Sequence, residues 1–422
     1  MTKSSNGSSS DDLENKISKL IQEQFDSYQR EIVEDNDDDD EVIDGFGRSP
    51  TMEAAMKYAK MIHKQLNILS LNDAMNDMSL TAVGGSKGDD GTSSRNDILT
   101  SILIRYIDST MSIDVSSSGD NELHPEEKEK IVSRVMDLIV ALYTTTIVVP
   151  SQDKEDGHGD NFDGGSVLDR VIHYSAVILE RVRVQSCRLL GKLAHSLYHH
   201  VVANDLMKDD PNGSKRERVF EVYNQIKDAI IPRLTDKSQM VRNTAIDASG
   251  YVLLLSHSIL SYDEDDGNDE LLESITWNLW HDPSASNRMT TITALSRSLI
   301  NDNDTSAGSL PPTMTMIVDH IVTRVRDVKD KVRVHAIQTI SRSKCLVVSM
   351  LSLEQRYEII RSGLVFSRYV NKYDYWLLFC SGLPSLFAHA KLYMLLFGNR
   401  NRYRAAVNKR KKQRASCFVL DG

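Results

Sequence analysis

The sequence is poor in cysteine and carries no obvious secretory leader. Its four cysteines (Cys187, Cys345, Cys380 and Cys417) are spread over 422 residues without a CxxC pair. That spacing indicates neither a disulfide framework nor a zinc site, so we expect a reducing, intracellular compartment. Residues 1–10 are rich in serine and lack the apolar stretch of a secretory signal.

Motifs for catalysis are also missing. The sequence has no GxGxxG pattern, no Walker A pattern and no distinctive Ser/His/Asp arrangement. His195 and His199 have the i, i+4 spacing of zinc hydrolases, but Ser196 replaces the glutamate base, so we interpret both as surface or groove-facing histidines. The acidic stretches 153–163 and 263–270 lack the ligand register of a calcium loop. We predict no enzymatic activity, metal, cofactor or small-molecule substrate.

The strongest positive signal is an apolar stripe between residues 324 and 342. Its members recur at i, i+4, i+5 and i+8, which is one face of an α-helix: Val332, Ala336, Ile337 and Ile340. Asp327 precedes this stripe, where a carboxylate can cap free N–H groups and meet the positive helix end. The pattern predicts the second helix of an αα-hairpin.

This pattern recurs along the chain with an arginine as its marker. The marker arginines Arg183, Arg242, Arg288 and Arg333 lie 59, 46 and 45 residues apart. HEAT and armadillo repeats have periods of about 40–47 residues. The first step is longer because residues 204–215 resemble a loop insertion.

Two interpretations of the repeated positions remain open. In one, each arginine bonds the loop aspartate of the adjacent repeat, and the arginines form a structural ladder. In the other, some arginines face a ligand in a concave groove. The predicted structural repeat positions are Val182, Val241, Ala245, Asp282, Arg288, Asp327, Val332 and Ala336.

The predicted fold class is all-α: a HEAT-repeat α-solenoid of stacked antiparallel helix pairs with disordered acidic insertions. The expected segments are a disordered 1–12, N-terminal helical repeats at 13–150, a HEAT-repeat core at 166–363 and an atypical tail at 364–422. In the N-terminal part we expect helices at 13–33, 50–66, 98–111 and 126–143, with a helix end within 144–150. Loose linkers or loops are expected at 35–41, 84–95, 151–165, 204–215 and 263–270.

The lysines and arginines are clustered although the net charge is −10. Clusters occur at 181–192, 215–218 and 324–344. Such a protein can bind DNA when its cations share one face, because phosphate binding responds to the local field. The alternative is ordinary solvation of exposed helix faces. DNA binding would be indifferent to base sequence, since no recognition-helix or zinc-finger signature is present.

An ordered set of segments resembles condensin complex subunit 3, the HEAT-repeat non-SMC subunit of condensin. The set comprises residues 182–193, 231–237 with 241–242, 280–284 with 287–288, and 325–333, followed by 353–356 and 361–364. The resemblance covers about 166–364, and the N-terminal third fits it only as helices with acidic insertions.

The resemblance implies a non-catalytic scaffold. Members of that family bind the kleisin subunit, which links them to the SMC ATPase pair, and grip the backbone of double-stranded DNA during mitotic chromosome condensation. It also implies a location in the nucleus and on mitotic chromosomes, with a cytoplasmic pool. The phosphate-facing candidates are Arg183, Lys192, Arg242, Lys329, Lys331 and Arg333. A HEAT adaptor for protein cargo, of the transport-receptor or phosphatase-scaffold type, is the alternative function.

The resemblance ends near residue 364, where the composition changes. Residues 364–422 contain two acidic residues against eleven lysines and arginines, together with eleven aromatic residues. We predict that this tail is non-homologous, such as read-through intron sequence. A genuine basic tail for nuclear import or nucleic acid is one alternative. A membrane anchor at 376–397 is the other, although Gly382, Pro384 and Lys391 interrupt that stretch.

Overall fold

The fold was analysed in a computed structural model, in which every described segment is helical or joins two helices. No strand occurs among the described residues, so the all-α prediction is confirmed for them. The expectations for 1–12, 35–41 and 364–422, and for most of the linkers and loops, lie outside the described residues. The structure describes residues 15–16, 19–24, 26–28, 30, 52–62, 95–113, 124–148, 164–203, 214–259, 269–299, 312–342, 354–355 and 359.

The chain divides into two compact units, Met1–Asn278 and Leu279–Gly422. In the first unit, the described residues among 15–30 and residues 52–62 are helical, as predicted. The helices that follow are α1 (Arg95–Ser112), α2 (Pro125–Val148), α3 (Gly164–Ser175), α4 (Glu180–Ala203), α5 (Ser214–Ile230), a 3-10 turn (Ile231–Thr235) and α6 (Gln239–Ile259). The boundary between the units falls within α7 (Asp269–His281).

The helices of the first unit contact each other in two layers. Helices α1, α3 and α5 touch in chain order, as do α2, α4 and α6, and each odd-numbered helix also touches the even-numbered helix that follows it. The apolar stripe of each helix is therefore covered by neighbours both in its own layer and in the other one. The predicted repeat positions Val182, Val241 and Ala245 lie in this core, and all three are buried.

Helices α4 and α6 approach each other closely within one layer. Gly191 on α4 faces Ala248 on α6, and a Cβ placed on Gly191 would lie 2.9 Å from the Cβ and 3.0 Å from the Cα of Ala248. Real Cβ atoms do not reach such distances, so α4 and α6 can pack this closely only with glycine at 191.

Helix α2 ends inside the β-branched run 144–150, as the sequence indicated. It covers Pro125–Val148 and so extends past the amphipathic pattern at 126–143. The buried hydroxyls of Thr144 and Thr145 donate to the carbonyl oxygens of Val140 and Ala141, at 2.7 and 2.9 Å. These bonds satisfy the hydroxyls within the helix, and burial of both residues outweighs their low helix propensity.

The helices of the second unit also pack against one another. Its helices after the end of α7 are α8 (Ala285–Ser298), α9 (Pro312–Thr323), a 3-10 turn (Arg324–Arg326) and α10 (Asp330–Arg342). Helices α8, α9 and α10 all touch one another. The stripe residues Val332, Ala336, Ile337 and Ile340 of α10 are buried. Among the helices in the described ranges, none is both long enough and apolar enough to cross a membrane.

Replacing Gly191 by alanine is expected to destabilise the first unit, because the new methyl group must push α4 away from α6. Overpacking of this kind costs about 1–3 kcal/mol, although alanine in a helix is otherwise favoured over glycine by about 1 kcal/mol. Denaturant unfolding measures the change. The double variant Gly191→Ala/Ala248→Gly should recover part of the loss. A single variant more stable than the wild type by about 1 kcal/mol, the gain expected from helix propensity alone, would show that the helices are not in this close contact.

Candidate functional site

Three turns in the described chain are organised around an aspartate: Asp236, Asp282 and Asp327. In each, the carboxylate accepts a hydrogen bond from the backbone N–H two residues later, at 2.9, 2.8 and 2.9 Å respectively. The bonded N–H precedes the next helix, whose first N–H groups have no partner within the helix. The aspartate therefore fixes the direction in which that helix begins.

An arginine six residues later closes each turn. The guanidinium groups of Arg242, Arg288 and Arg333 donate to the carbonyl oxygen of their own turn aspartate, at 2.8, 2.8 and 2.6 Å. Arg183 holds its turn in the same way, donating to the carbonyl oxygens of Val177 and Ile178 at 3.0 and 2.6 Å. All four marker arginines thus share one local role.

Two of these arginines also reach a second turn. Arg183 donates through Nε and Nη2 to the carboxylate of Asp236, at 2.9 and 3.0 Å. Arg288 binds Asp327 in the same two-pronged way, with both distances 2.9 Å. Only 7% of the Arg288 side chain and 2% of the Asp327 side chain are exposed. These contacts favour the interpretation of Arg183 and Arg288 as a structural ladder.

Burial and hydrogen bonding act in opposite directions on the turn aspartates. Burial alone would raise the pKa of Asp327, but the hydrogen bonds from Arg288 and from the Lys329 backbone outweigh it and lower the pKa. For Asp236, burial is likewise outweighed by bonds from Arg183 and the Ser238 backbone, so its pKa is also lowered. Both carboxylates are therefore ionised in the folded protein at neutral pH.

A second arginine, which the sequence reasoning missed, precedes two of the turns. Arg233 and Arg324 lie three residues before Asp236 and Asp327, and each guanidinium nitrogen is 3.6 Å from the carboxylate. The pattern Arg-apolar-x-Asp is present in both segments, and its apolar residue is fully buried in each. This recurrence was readable from the sequence.

Most of the DNA-phosphate candidates have partners within the chain. Arg183, Arg242 and Arg333 close turns as described, and Arg333 also bonds Asp330. Lys192 on α4 bonds Asp137 on α2, whose side chain is only 2% exposed. The two remaining candidates have exposed side chains: Lys329 lies just before α10, and Lys331 lies in its first turn.

Other cations of the first unit bind carboxylates of neighbouring helices. Arg188 bonds Glu129 between α4 and α2. Arg170 on α3 binds Asp108 on α1 at 2.9 Å through each of two nitrogens. Together with Lys192, these cations join helices within a layer. Much of the positive charge that the sequence suggested for a groove is therefore balanced locally.

The turn between α9 and α10 is the most basic turn described. Residues 324–333 contain five cations and two carboxylates. Arg326, Lys329 and Lys331 are exposed there, and so is Val328, which has 83% of its surface accessible. We call these exposed residues the basic turn.

A groove of about 670 Å³ adjoins the basic turn in the second unit. Trp280 lines it and is 44% exposed, and the guanidinium carbon of Arg324 lies 3.8 Å from its ring centroid. The indole N–H donates to Nδ1 of His320 at 3.3 Å. Arg326 and Val328 belong to both the groove and the basic turn. An aromatic surface thus lies beside a positively charged one.

The two histidines that the sequence singled out are in contact on α4. Nε2 of His195 and Nε2 of His199 are 2.9 Å apart, and the ring of Tyr251 on α6 packs against His195 with centroids 4.5 Å apart. Both histidines are partly exposed. Within the described residues, no group of three or more His, Cys, Asp or Glu side chains is arranged to hold a metal ion.

Comparisons with known proteins did not assign the chain to a family. A scan of the chain against protein-family models found no match. A search of the curated proteins found no match either. The resemblance to the condensin subunit therefore stays a prediction from ordered sequence motifs.

Acid is expected to remove the stabilisation that Asp236 and Asp327 provide. Because the pKa of each is lowered by folding, their contribution is fully present above the unfolded pKa of about 3.9 and is lost as the pH falls through the folded values. Asp327→Asn should lower the free energy of unfolding at neutral pH. When the pH falls below about 4, this variant should lose less additional stability than the wild type does.

Chemical unfolding at stepped pH measures this difference. Asp169→Asn, which changes an exposed aspartate on α3, is the matched control and should follow the wild type. An equal loss of stability on acidification in Asp327→Asn and wild type would show that Asp327 does not contribute in this way.

Proposed function

We propose that this chain is a HEAT-repeat α-solenoid that acts as a non-catalytic scaffold subunit of a condensin-type complex. The observation that carries the architecture is the recurring turn, in which an aspartate is followed six residues later by the arginine that closes it. Turns at 236, 282 and 327 follow one another at the 46- and 45-residue spacing of such repeats. The two-layer helix contacts of the first unit support the same architecture.

A solenoid of this kind is suited to hold an extended partner. Each helix pair buries its apolar face only against its neighbours, so successive pairs present a continuous surface along the array. A disordered segment can order along such a surface and cover a large area of it. By the resemblance of residues 166–364, the partner is the kleisin subunit, which connects the scaffold to the SMC ATPase pair.

The second proposed partner is the backbone of double-stranded DNA, without base specificity. The contacts of Arg183, Arg242 and Lys192 within the chain leave less of their charge for phosphate. We therefore assign the principal contact to the basic turn, through Lys329 and Lys331. A local cluster of exposed cations attracts phosphate even when the whole chain is acidic. By the same resemblance, we propose a location in the nucleus and on mitotic chromosomes.

The groove beside Trp280 favours a second candidate, an adaptor that holds protein cargo. Tryptophan and arginine are enriched among the residues that dominate protein–protein binding energy. Here a half-exposed Trp280 is stacked by Arg324 and bordered by the exposed Val328. Such a groove can hold an apolar side chain of a bound peptide, and this adaptor function does not involve DNA.

Reversing two charges of the basic turn is expected to weaken DNA binding. For the full chain and a short duplex of random sequence, the affinity should fall steeply with salt, as counterions are released from the phosphates. Lys329→Glu/Lys331→Glu should reduce the slope of log affinity against log salt by about two, one for each lost phosphate contact. Fluorescence anisotropy between about 50 and 200 mM salt measures both effects.

Lys60→Glu/Lys130→Glu, which reverses two exposed lysines of the first unit, is the matched control and should leave the slope unchanged. A pull-down with fragments of a kleisin tests the other half of the proposal. Binding of DNA that does not change with salt, or no binding to either partner, would contradict the condensin-type function. Retention of a protein cargo without DNA binding would favour the adaptor.

A further inference from the structure

His195 and His199 face each other through ring nitrogens that can bind metal. One helical turn separates the two residues on α4, and their Nε2 atoms are 2.9 Å apart. The ring centroids are 4.5 Å apart, and the planes are inclined at 69°. The facing atoms are thus the two ring nitrogens that commonly bind metals in proteins.

The separation of the nitrogens selects a coordination angle. Metal–imidazole bonds are about 2.0–2.1 Å long, so two nitrogens 2.9 Å apart subtend an angle of about 90° at a shared ion. Square-planar and tetragonal ions use this angle, whereas a tetrahedral ion at the same bond length needs nitrogens about 3.3 Å apart. The pair therefore fits Cu²⁺ or Ni²⁺ better than tetrahedral Zn²⁺.

The surroundings hold the pair in this position. Leu193 and Leu197, on the opposite side of the same turns, are buried, so α4 is fixed against its neighbours. Tyr251 of α6 packs against the His195 ring at a centroid distance of 4.5 Å. Lys192, one turn earlier, is bonded to Asp137, which reduces its repulsion of a cation.

We propose that His195 and His199 form a two-nitrogen binding site for a divalent late first-row transition metal, Cu²⁺ or Ni²⁺ in preference to Zn²⁺. No third protein ligand is arranged with them within the described residues, so water would complete the coordination. Without a metal, one ring donates its Nε2 hydrogen to the other. With a metal, both rings carry their hydrogen on Nδ1, and each Nε2 gives its lone pair to the ion.

Metal titration of the full chain tests this site. The first equivalent of Cu²⁺ should bind more tightly than any further equivalents. The electron paramagnetic resonance spectrum of this first equivalent should show two equatorial nitrogen ligands. Affinity should decrease as the pH falls, because protonated imidazole cannot bind metal. His195→Ala and His199→Ala should each lower the affinity of that equivalent by at least about tenfold, because either change removes the chelate.

The chain has twelve histidines, so a matched control is needed. His124→Ala changes an exposed histidine before α2 and should keep the tight equivalent. His195→Gln and His199→Gln, checked for wild-type helicity by circular dichroism, separate loss of the ligand from loss of folding. The proposal is overturned if either glutamine variant keeps wild-type Cu²⁺ affinity, if His124→Ala loses the equivalent as fully as they do, or if Zn²⁺ binds more tightly than both Cu²⁺ and Ni²⁺.

Discussion

The bidentate bond between an arginine of one turn and the aspartate of the next is the interaction on which the rest of the structure depends. Arg288 binds its own turn through the Asp282 carbonyl and reaches the Asp327 carboxylate at the same time. Arg183 connects its own turn to Asp236 in the same manner. Each aspartate in turn directs the start of the following helix. One buried cation therefore sets the relation between two successive helix pairs within a unit.

This use of charge constrains where a ligand can bind. A buried cation that lost its carboxylate would be left without compensation, which is costly in a dry environment. The charges of Arg183 and Arg288 are therefore used by contacts that hold the fold together. The charge of Lys192 is used in the same way by the buried Asp137. Charge for an external anion remains at exposed positions such as Lys329 and Lys331, beside the groove that contains Trp280. In the proposed scaffold, structural and binding cations are therefore different residues.

The spacing of the marker arginines and the apolar stripes was sufficient to predict that the part of the chain described by the structure is helical. The stripes work because Val241 and Ala245, like Val332 and Ala336, lie four residues apart, which places each pair on one buried face of its helix. The partner of Lys192, the contact of Gly191 with Ala248 and the stacking of Arg324 on Trp280 were not predictable in this way. Each joins segments that are far apart in sequence, and a local pattern does not specify such pairs.

A double-mutant cycle on Arg288 and Asp327 tests the central claim most directly. Free energies of unfolding are measured for the wild type, Arg288→Ala, Asp327→Ala and the double variant, and the same cycle on the more exposed Arg170–Asp108 pair is the reference. We expect a coupling of at least about 1 kcal/mol for the buried pair and a smaller one for the exposed pair. Additive effects at Arg288 and Asp327, within about 0.5 kcal/mol, would show that this bond does not hold successive turns together.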